Sequence, residues 1–381
     1  MLRLPPLSLY IHVPWCIRKC PYCDFNSHKA DDNLPERQYV DALIADLEQD
    51  KHWLQGRPLQ SIFIGGGTPS LLSARAYEKL FRELRQRLTF ADDIEITLEA
   101  NPGTFEAKKF AAYRSLGINR LSIGVQSFNP GHLQQLGRVH DSEQAKTAIS
   151  KARKAGFDNF NIDLMHGLPG QTVGQALHDL RTALAFEPQH LSWYQLTIEP
   201  NTEFYKRPPL LPQDDTLWDI QEAGLALLAE HGFEHYEISA FCQPGRASRH
   251  NLNYWQFGDY LGIGAGAHGK ITLADANTIL RTHKTRLPKD YLAPDKAFLA
   301  GKQTIDPDDI GLECLMNALR LRQGIRVEDF EARTGLTLAA VAEPLQRAQQ
   351  LGLLQLDKGI RATEKGQQYL NELLALFLPA E

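Results

Sequence analysis

A chain of 381 residues exceeds one ordinary domain of roughly 100–200 residues and accommodates a barrel of about 250 with a smaller module beside it. With 43% hydrophobic and 23% charged residues, 28 Gly and 21 Pro, the composition excludes collagen-like and disordered classes. The 41 basic against 46 acidic residues, net −5, leave no global positive field to hold nucleic acid or an anionic membrane.

In chain order, the opening segment is broken by Pro5, Pro6 and Pro14 and has no small-residue cleavage site. No apolar run reaches the ~18 residues of a membrane span, so a cytoplasmic location is expected. The first half of the chain then repeats one pattern, a β-branched run followed by helical periodicity. Strands are expected at 7–13, 61–64, 94–100, 120–125, 160–164 and 191–198. The first alternates Leu7, Leu9, Ile11 and Val13 with Ser8, Tyr10 and His12, as a strand with two unlike faces does. Tyr39, Val40, Leu43, Ile44 and Leu47 make one helical stripe; Tyr77, Leu80, Phe81 and Leu84 make another.

Parallel strands joined by helices form a barrel or a doubly wound sheet, and either gathers ligands at the carboxyl ends of its strands. The unusual residues stand at those ends: a cysteine cluster after the first run, GGGTP after the second, Glu99 near the end of the third, Gln126 after the fourth and Asp163 near the end of the fifth. One shared site is expected there.

A long helix is expected after Pro208, Pro209 and Pro212, and an irregular, aromatic stretch over 236–292. From Asp308 the pattern becomes helices, a strand at 353–356, a turn at Asp357, Lys358 and Gly359, a second strand and a last helix, which reads as a winged helix. Three parts are expected: a core at 1–235, a connecting segment at 236–302 and a winged-helix-like domain at 303–381. The last carries 8 Lys and Arg against 12 Asp and Glu, which disfavours phosphate binding and leaves a packing or partner role.

Three of the five cysteines fall in CIRKCPYC, placing Cys16, Cys20 and Cys23 in a C-x3-C-x2-C spacing. Pro14 and Pro21 make a regular helix there improbable, so the loop wraps something. Zinc, completed by His12 or His28, and an iron–sulfur cluster on three cysteines both suit such thiolates. GGGTP is neither a dinucleotide fingerprint nor a phosphate loop, since Ser70 replaces the third Gly and no Lys follows. Its glycines let a backbone approach a ligand closely.

The C-x3-C-x2-C loop, with Tyr22 before the last cysteine and a strand before the loop, resembles the radical S-adenosylmethionine (SAM) superfamily. That resemblance implies an α/β fold, a partial (β/α)6 TIM-like barrel, here joined to the C-terminal winged-helix-like α+β domain. It also implies a 4Fe-4S cluster on Cys16, Cys20 and Cys23 whose fourth iron takes SAM, the source of a 5′-deoxyadenosyl radical. Tyr10, Tyr22, Gly66, Gly67, Thr68, Glu99, Gln126, Arg138 and Asp163 match the family's SAM contacts, with Gly66, Gly67 and Thr68 facing the amino group and Asp163 the ribose.

The phrases SLYIHVPWC, FIGGGTPS, EANPG, RLSIGVQSF, LGRVH, FNIDLMHGLPGQT and LSWYQLTIEPNT are similar to the anaerobic coproporphyrinogen dehydrogenase family. Within it the fit is to the HemW subfamily of haem chaperones. The dehydrogenase has a fourth cysteine where this chain has Phe25, and a long N-terminal arm where only 15 residues precede Cys16. HNLNYW matches the subfamily's haem motif, which implies His250 as axial ligand supported by Asn251, Tyr254 and Trp255. Arg246 and Arg249 are candidates to pair with the haem propionates. The resemblance implies haem transfer to an acceptor haem protein of respiratory type, with no nucleic acid. It leaves open a transient membrane contact, a homodimer, and the alternative of a radical SAM oxidoreductase acting on a porphyrinogen.

Overall fold

The computed structural model describes residues 1–31, 33–103, 108–357 and 359–378. The six expected strands occur in order as β1 (Leu7–Val13), β2 (Leu59–Gly66), β3 (Phe90–Ala100), β4 (Arg120–Gln126), β5 (Phe160–His166) and β6 (His190–Gln195). Neighbours pair in parallel from β1 to β6, with Tyr10 level with Phe63 and Gly124 level with Asp163. Helices α1 (Glu36–Asp50) and α2 (Ala74–Arg87) carry the two apolar stripes, and Tyr39, Leu43, Leu47, Tyr77, Leu80 and Leu84 are buried. Ser73 caps α2 through the Ala76 N–H, which fixes where that helix begins.

The segment read as irregular is not. After helix α3 (Asp214–Glu230) come β7 (Glu234–Glu237) and β8 (Ala240–Cys242), antiparallel on the β6 edge. Helix α4 (Arg249–Trp255) follows, then β9 (Asp259–Ile263), β10 (His268–Leu273), β11 (Thr278–Lys284) and β12 (Leu299–Thr304). β9 pairs in parallel with the free side of β1, and β10 to β12 continue antiparallel. One sheet results, ordered β12-β11-β10-β9-β1-β2-β3-β4-β5-β6-β8-β7. The runs in 236–302 are short and Gly-interrupted, so sequence alternation under-reports them, whereas ladder pairing on β1 and β6 stabilises them.

Alternation along the strands separates two environments. Leu7, Leu9, Ile11, Ile62, Ile64, Leu98, Leu121, Ile123 and Ile162 belong to the apolar core that includes the helices. The intervening Ser8, Tyr10, His12, Ser61, Thr97, Ser122, Asn161 and His190 point the other way, into a polar interior. A second apolar core surrounds Cys314, Leu315, Phe330, Leu345 and Leu373 in the C-terminal domain, with Leu2 and Ile279 packed into it. That domain carries the expected hairpin, Leu354–Leu356 with Ile360–Ala362; Lys358, expected in its turn, lies outside the described residues.

Candidate functional site

The cysteine loop is clasped at its base, where Trp15 pairs with His28 and Cys16 with Lys29. A turn closes its far end, the Cys23 N–H donating to the Cys20 carbonyl at 3.1 Å. All three cysteines are free thiols, Cys16 buried and Cys20 and Cys23 half-buried. Burial pushes the Cys16 and Cys23 thiols up, and Cys20 acts in the same direction. Thiols that resist ionising alone suit a cationic centre that deprotonates them together, and Arg138 Nη1 lies 3.6 Å from Cys20 Sγ as a further positive charge. Among the described residues no three His, Cys, Asp or Glu side chains are arranged to hold a single metal ion. His12 spends Nδ1 on Tyr10 Oη and Nε2 on the Asn26 carbonyl, at 2.9 Å each, and His28 Nε2 is 3.1 Å from Asn26 Oδ1. The donor set therefore fits a cluster on three thiolates and not zinc completed by His12.

Beside this loop β2 ends in Gly66, at φ 115°, where a Cβ would stand 2.5 Å from the His12 ring. At Gly67 a Cβ would meet the Trp15 carbonyl oxygen at 2.5 Å, so both positions require glycine. The Gly66 N–H donates to Glu99 Oε2, that of Gly67 to the Val13 carbonyl and that of Thr68 to the Trp15 carbonyl. These donors are spent, so the segment offers a ligand carbonyls rather than N–H groups, the polarity an amino group needs. Burial pushes Glu99 up to about 8, and the charge of Asp163 adds to the shift. Asp163 is pushed up by burial as well, although Asn161 Nδ2 and Ser122 Oγ donate to it at 2.7 and 3.0 Å. It stands in the middle of β5, not near its end as expected, because pairing with β6 carries β5 on to His166. Two neighbouring carboxyls, neither hydrogen-bonded to a basic side chain among the described residues, make a site suited to a cationic ligand.

Gln126 closes β4 in a left-handed conformation, φ 71°, at an irregularity in the β4–β5 register. Its Oε1 accepts from Tyr194 Oη at 2.8 Å. Arg138 Nη2 donates to Asn101 Oδ1 at 2.6 Å and to the Gly124 carbonyl at 2.8 Å. Its buried Nε has no partner among the described residues. Tyr22 packs against Phe204 with ring centroids 6.4 Å apart. The sequence reading missed Asn101, which ties Arg138 to Thr68 by donating to Thr68 Oγ1 at 2.9 Å. Its place in EANPG, two residues beyond Glu99, was the available signal.

The other end of the site is α4. Glu95 on β3 receives the backbone N–H groups of Arg249 and His250 at 3.2 and 3.1 Å, which draws α4 into the polar interior. His250 is buried, its Nδ1 3.0 Å from Ser61 Oγ and its ring 5.0 Å from that of Phe63. Burial, then the charge of Arg120, lowers its pKa to about 3, so the imidazole is neutral at neutral pH. A cavity of about 660 Å³ joins the two ends, lined by His250, Asn251, Tyr254 and Trp255 and by Tyr10, Gly66 and Glu99. That volume is in the range of small-molecule and cofactor sites, roughly 300–1,000 Å³. Neither Arg246 nor Arg249 lines it, and Arg249 is paired with Asp93 at 2.6 Å. The basic residues that line it are Lys284, held by Asp46 and Asp50, and Arg286. Asp93, distant in sequence, holds Arg249 instead.

Residues 10–183 match the Radical SAM superfamily and residues 305–369 the HemN C-terminal domain. The chain is 50% identical to the heme chaperone HemW of Haemophilus influenzae, over 100% of both chains. It is 51% identical to the heme chaperone HemW of Escherichia coli, over 99% of this chain and 100% of that one. The solved coproporphyrinogen III oxidase HemN of Escherichia coli, described as a radical SAM enzyme, superposes with a TM-score of 0.82 at 26% identity, covering 98% of this chain and 90% of that chain. No helix among the described residues is long and apolar enough to cross a membrane. Full-length identity at this level is decisive: the chain belongs to the HemW family of radical SAM proteins.

Proposed function

We propose that the chain is a cytoplasmic haem chaperone that binds haem beside His250 and passes it to an acceptor haem protein of respiratory type. The observation that carries this reading is one cavity lined by His250, Asn251, Tyr254 and Trp255 together with Gly66 and Glu99, in a chain whose full-length relatives are named heme chaperones. His250 would be the iron ligand: its Nδ1 lies 3.0 Å from Ser61 Oγ, and the tautomer that donates through Nδ1–H keeps the Nε2 lone pair for the metal. Tyr254 and Trp255, edge to face at 4.8 Å, supply apolar wall for a macrocycle.

Cys16, Cys20 and Cys23 would hold a 4Fe-4S cluster, with Arg138 as neighbouring positive charge, and haem transfer would be licensed from that site. SAM is held by Gly66, Gly67 and Thr68 with Glu99 at its amino group and Asp163 at its ribose; Tyr10, Tyr22, Gln126 and Arg138 complete the polar contacts. When bound, the reduced cluster can supply an electron to the SAM sulfonium. Glu99 accepts and orients the ligand's ammonium, and the clasped cysteine loop limits access of water.

The test is anaerobic reconstitution followed by haem titration under an absorption spectrometer. A saturable Soret shift and transfer of the haem to an apo-acceptor are expected; equal haem affinity in parent and His250→Ala rejects the ligand. Incubation with coproporphyrinogen, SAM and reductant addresses the alternative. Protoporphyrinogen formed in proportion to SAM consumed would replace the chaperone by an oxidase. Phe25, 58% exposed where the oxidase family has a fourth cysteine, argues against that outcome.

A further inference from the structure

Two more imidazoles face the same cavity and have no part in the site above. His268 opens β10 and His283 lies in β11, directly opposite each other in the antiparallel register. Their rings stack with centroids 5.9 Å apart and planes at 29°. Both side chains are exposed and both line the cavity that His250 also lines. Among the described residues neither ring has a hydrogen-bond partner.

Tyr10 is level with Gly262 on β9, and Gly262 lies so close to the His268 carbonyl that no Cβ fits there. The place of a side chain at Gly262 is thus taken by the His268 main chain. Beyond the pair, Gly301 is opposite His283, and a Cβ on it would strike the His283 ring. The His283 ring thus lies across the bare backbone of Gly301.

The walls define the occupant. Phe25, Tyr254, Trp255 and Tyr260 line the same cavity, and Arg286 at its edge has no carboxylate partner among the described residues. A bare transition-metal ion would need the imidazoles but not the aromatic walls. An iron porphyrin uses all three: ring nitrogens for iron, aromatic faces for the macrocycle and a cation for a propionate. We propose that His268 and His283 form a second imidazole site for haem iron, an outer station in the cavity whose inner station is His250. The inference rests on the haem-chaperone reading and extends it to the route by which haem enters and leaves.

The test compares the full-length, cluster-reconstituted parent with His268→Ala, His283→Ala and the double variant, titrated with haem and with metal-free protoporphyrin. The double variant is expected to bind haem roughly 10–100-fold more weakly while its affinity for the metal-free macrocycle is unchanged. In a His250→Ala background, imidazole-type ligation persists and disappears only when both outer histidines are removed. Equal loss of haem and metal-free porphyrin would reduce the pair to packing and overturn the ligation. Unchanged haem affinity in the double variant, with the parent binding haem, would overturn this inference alone; a parent that binds no haem would overturn the chaperone reading with it.

Discussion

Ser61 Oγ lies 3.0 Å from His250 Nδ1 and 2.8 Å from Ser8 Oγ, and Asn253 Nδ2 donates to Ser8 Oγ at 2.9 Å. Strands β1 and β2 and helix α4 therefore share one hydrogen-bonded row, and Ser61 holds the imidazole at its Nδ1. A ligating histidine whose other ring nitrogen loses its partner weakens its metal by about 10–100-fold. Ser61→Ala is expected to lower haem affinity by that factor, and His250→Ala by at least as much, with iron and sulfide content at parental levels in both. Haem titration beside iron analysis checks this, and an Ser61→Ala chain with parental affinity would remove the row from haem binding.

Cys20 separates the two metal sites in the opposite sense. Its thiol stands beside Arg138 in a loop tied at both ends, away from α4. Cys20→Ala is expected to lose most of the iron and sulfide taken up on anaerobic reconstitution while binding haem as the parent does. Iron retained at the parental level would mean that the three-cysteine ligand set is wrong.

Glu99 gives a pH signature. Its folded-state value of about 8 exceeds the roughly 4.3 of an unfolded glutamate, so between these limits the folded chain binds the extra proton. Stability contributed by the protonated form is present below pH ~4 and is lost as pH rises through about 8. Without SAM, Glu99→Gln is therefore expected to be more stable than the parent by about 1–3 kcal/mol at pH 8, with little difference at pH 4. Urea unfolding at the two values checks the sign. The same variant is expected to bind SAM more weakly, since a neutral amide does not offset an ammonium.

Much of this was legible because period-two alternation and helical stripes are local signals. Leu7, Leu9, Ile11 and Val13 announce β1, and the strand ends collect the cysteines, GGGTP, Glu99 and Gln126. The remainder depends on contacts that no local pattern records. β9 joins β1 in parallel across more than two hundred residues, and its five-residue run gives no hint of that partner. His250 reaches the polar interior because Glu95, 155 residues earlier, holds the start of α4. The pairing of Arg249 with Asp93 and the opposition of His268 to His283 are equally matters of register, visible only once the sheet is assembled.

That assembly depends on a buried carboxylate at the start of β9. Asp259 is fully buried and accepts from Lys270 Nζ at 2.9 Å, Arg57 Nη1 at 2.7 Å, the Thr272 N–H at 2.9 Å and Thr272 Oγ1 at 2.8 Å. Burial alone would raise its pKa; Lys270, Arg57 and Thr272 outweigh it and hold the carboxyl below the usual range. Asp259→Asn leaves the buried Lys270 without its counter-charge, which costs about 3–5 kcal/mol. Since the folded pKa is depressed, the carboxylate's contribution is present above the unfolded value near 3.9 and is lost as pH falls through the folded one. Urea unfolding of parent and Asp259→Asn is expected to differ by that amount at pH 7, with the gap shrinking only as pH falls below ~4 and through the depressed folded value. A gap that persists unchanged at low pH would mean that shape, not charge, joins β9 and β10 to the sheet.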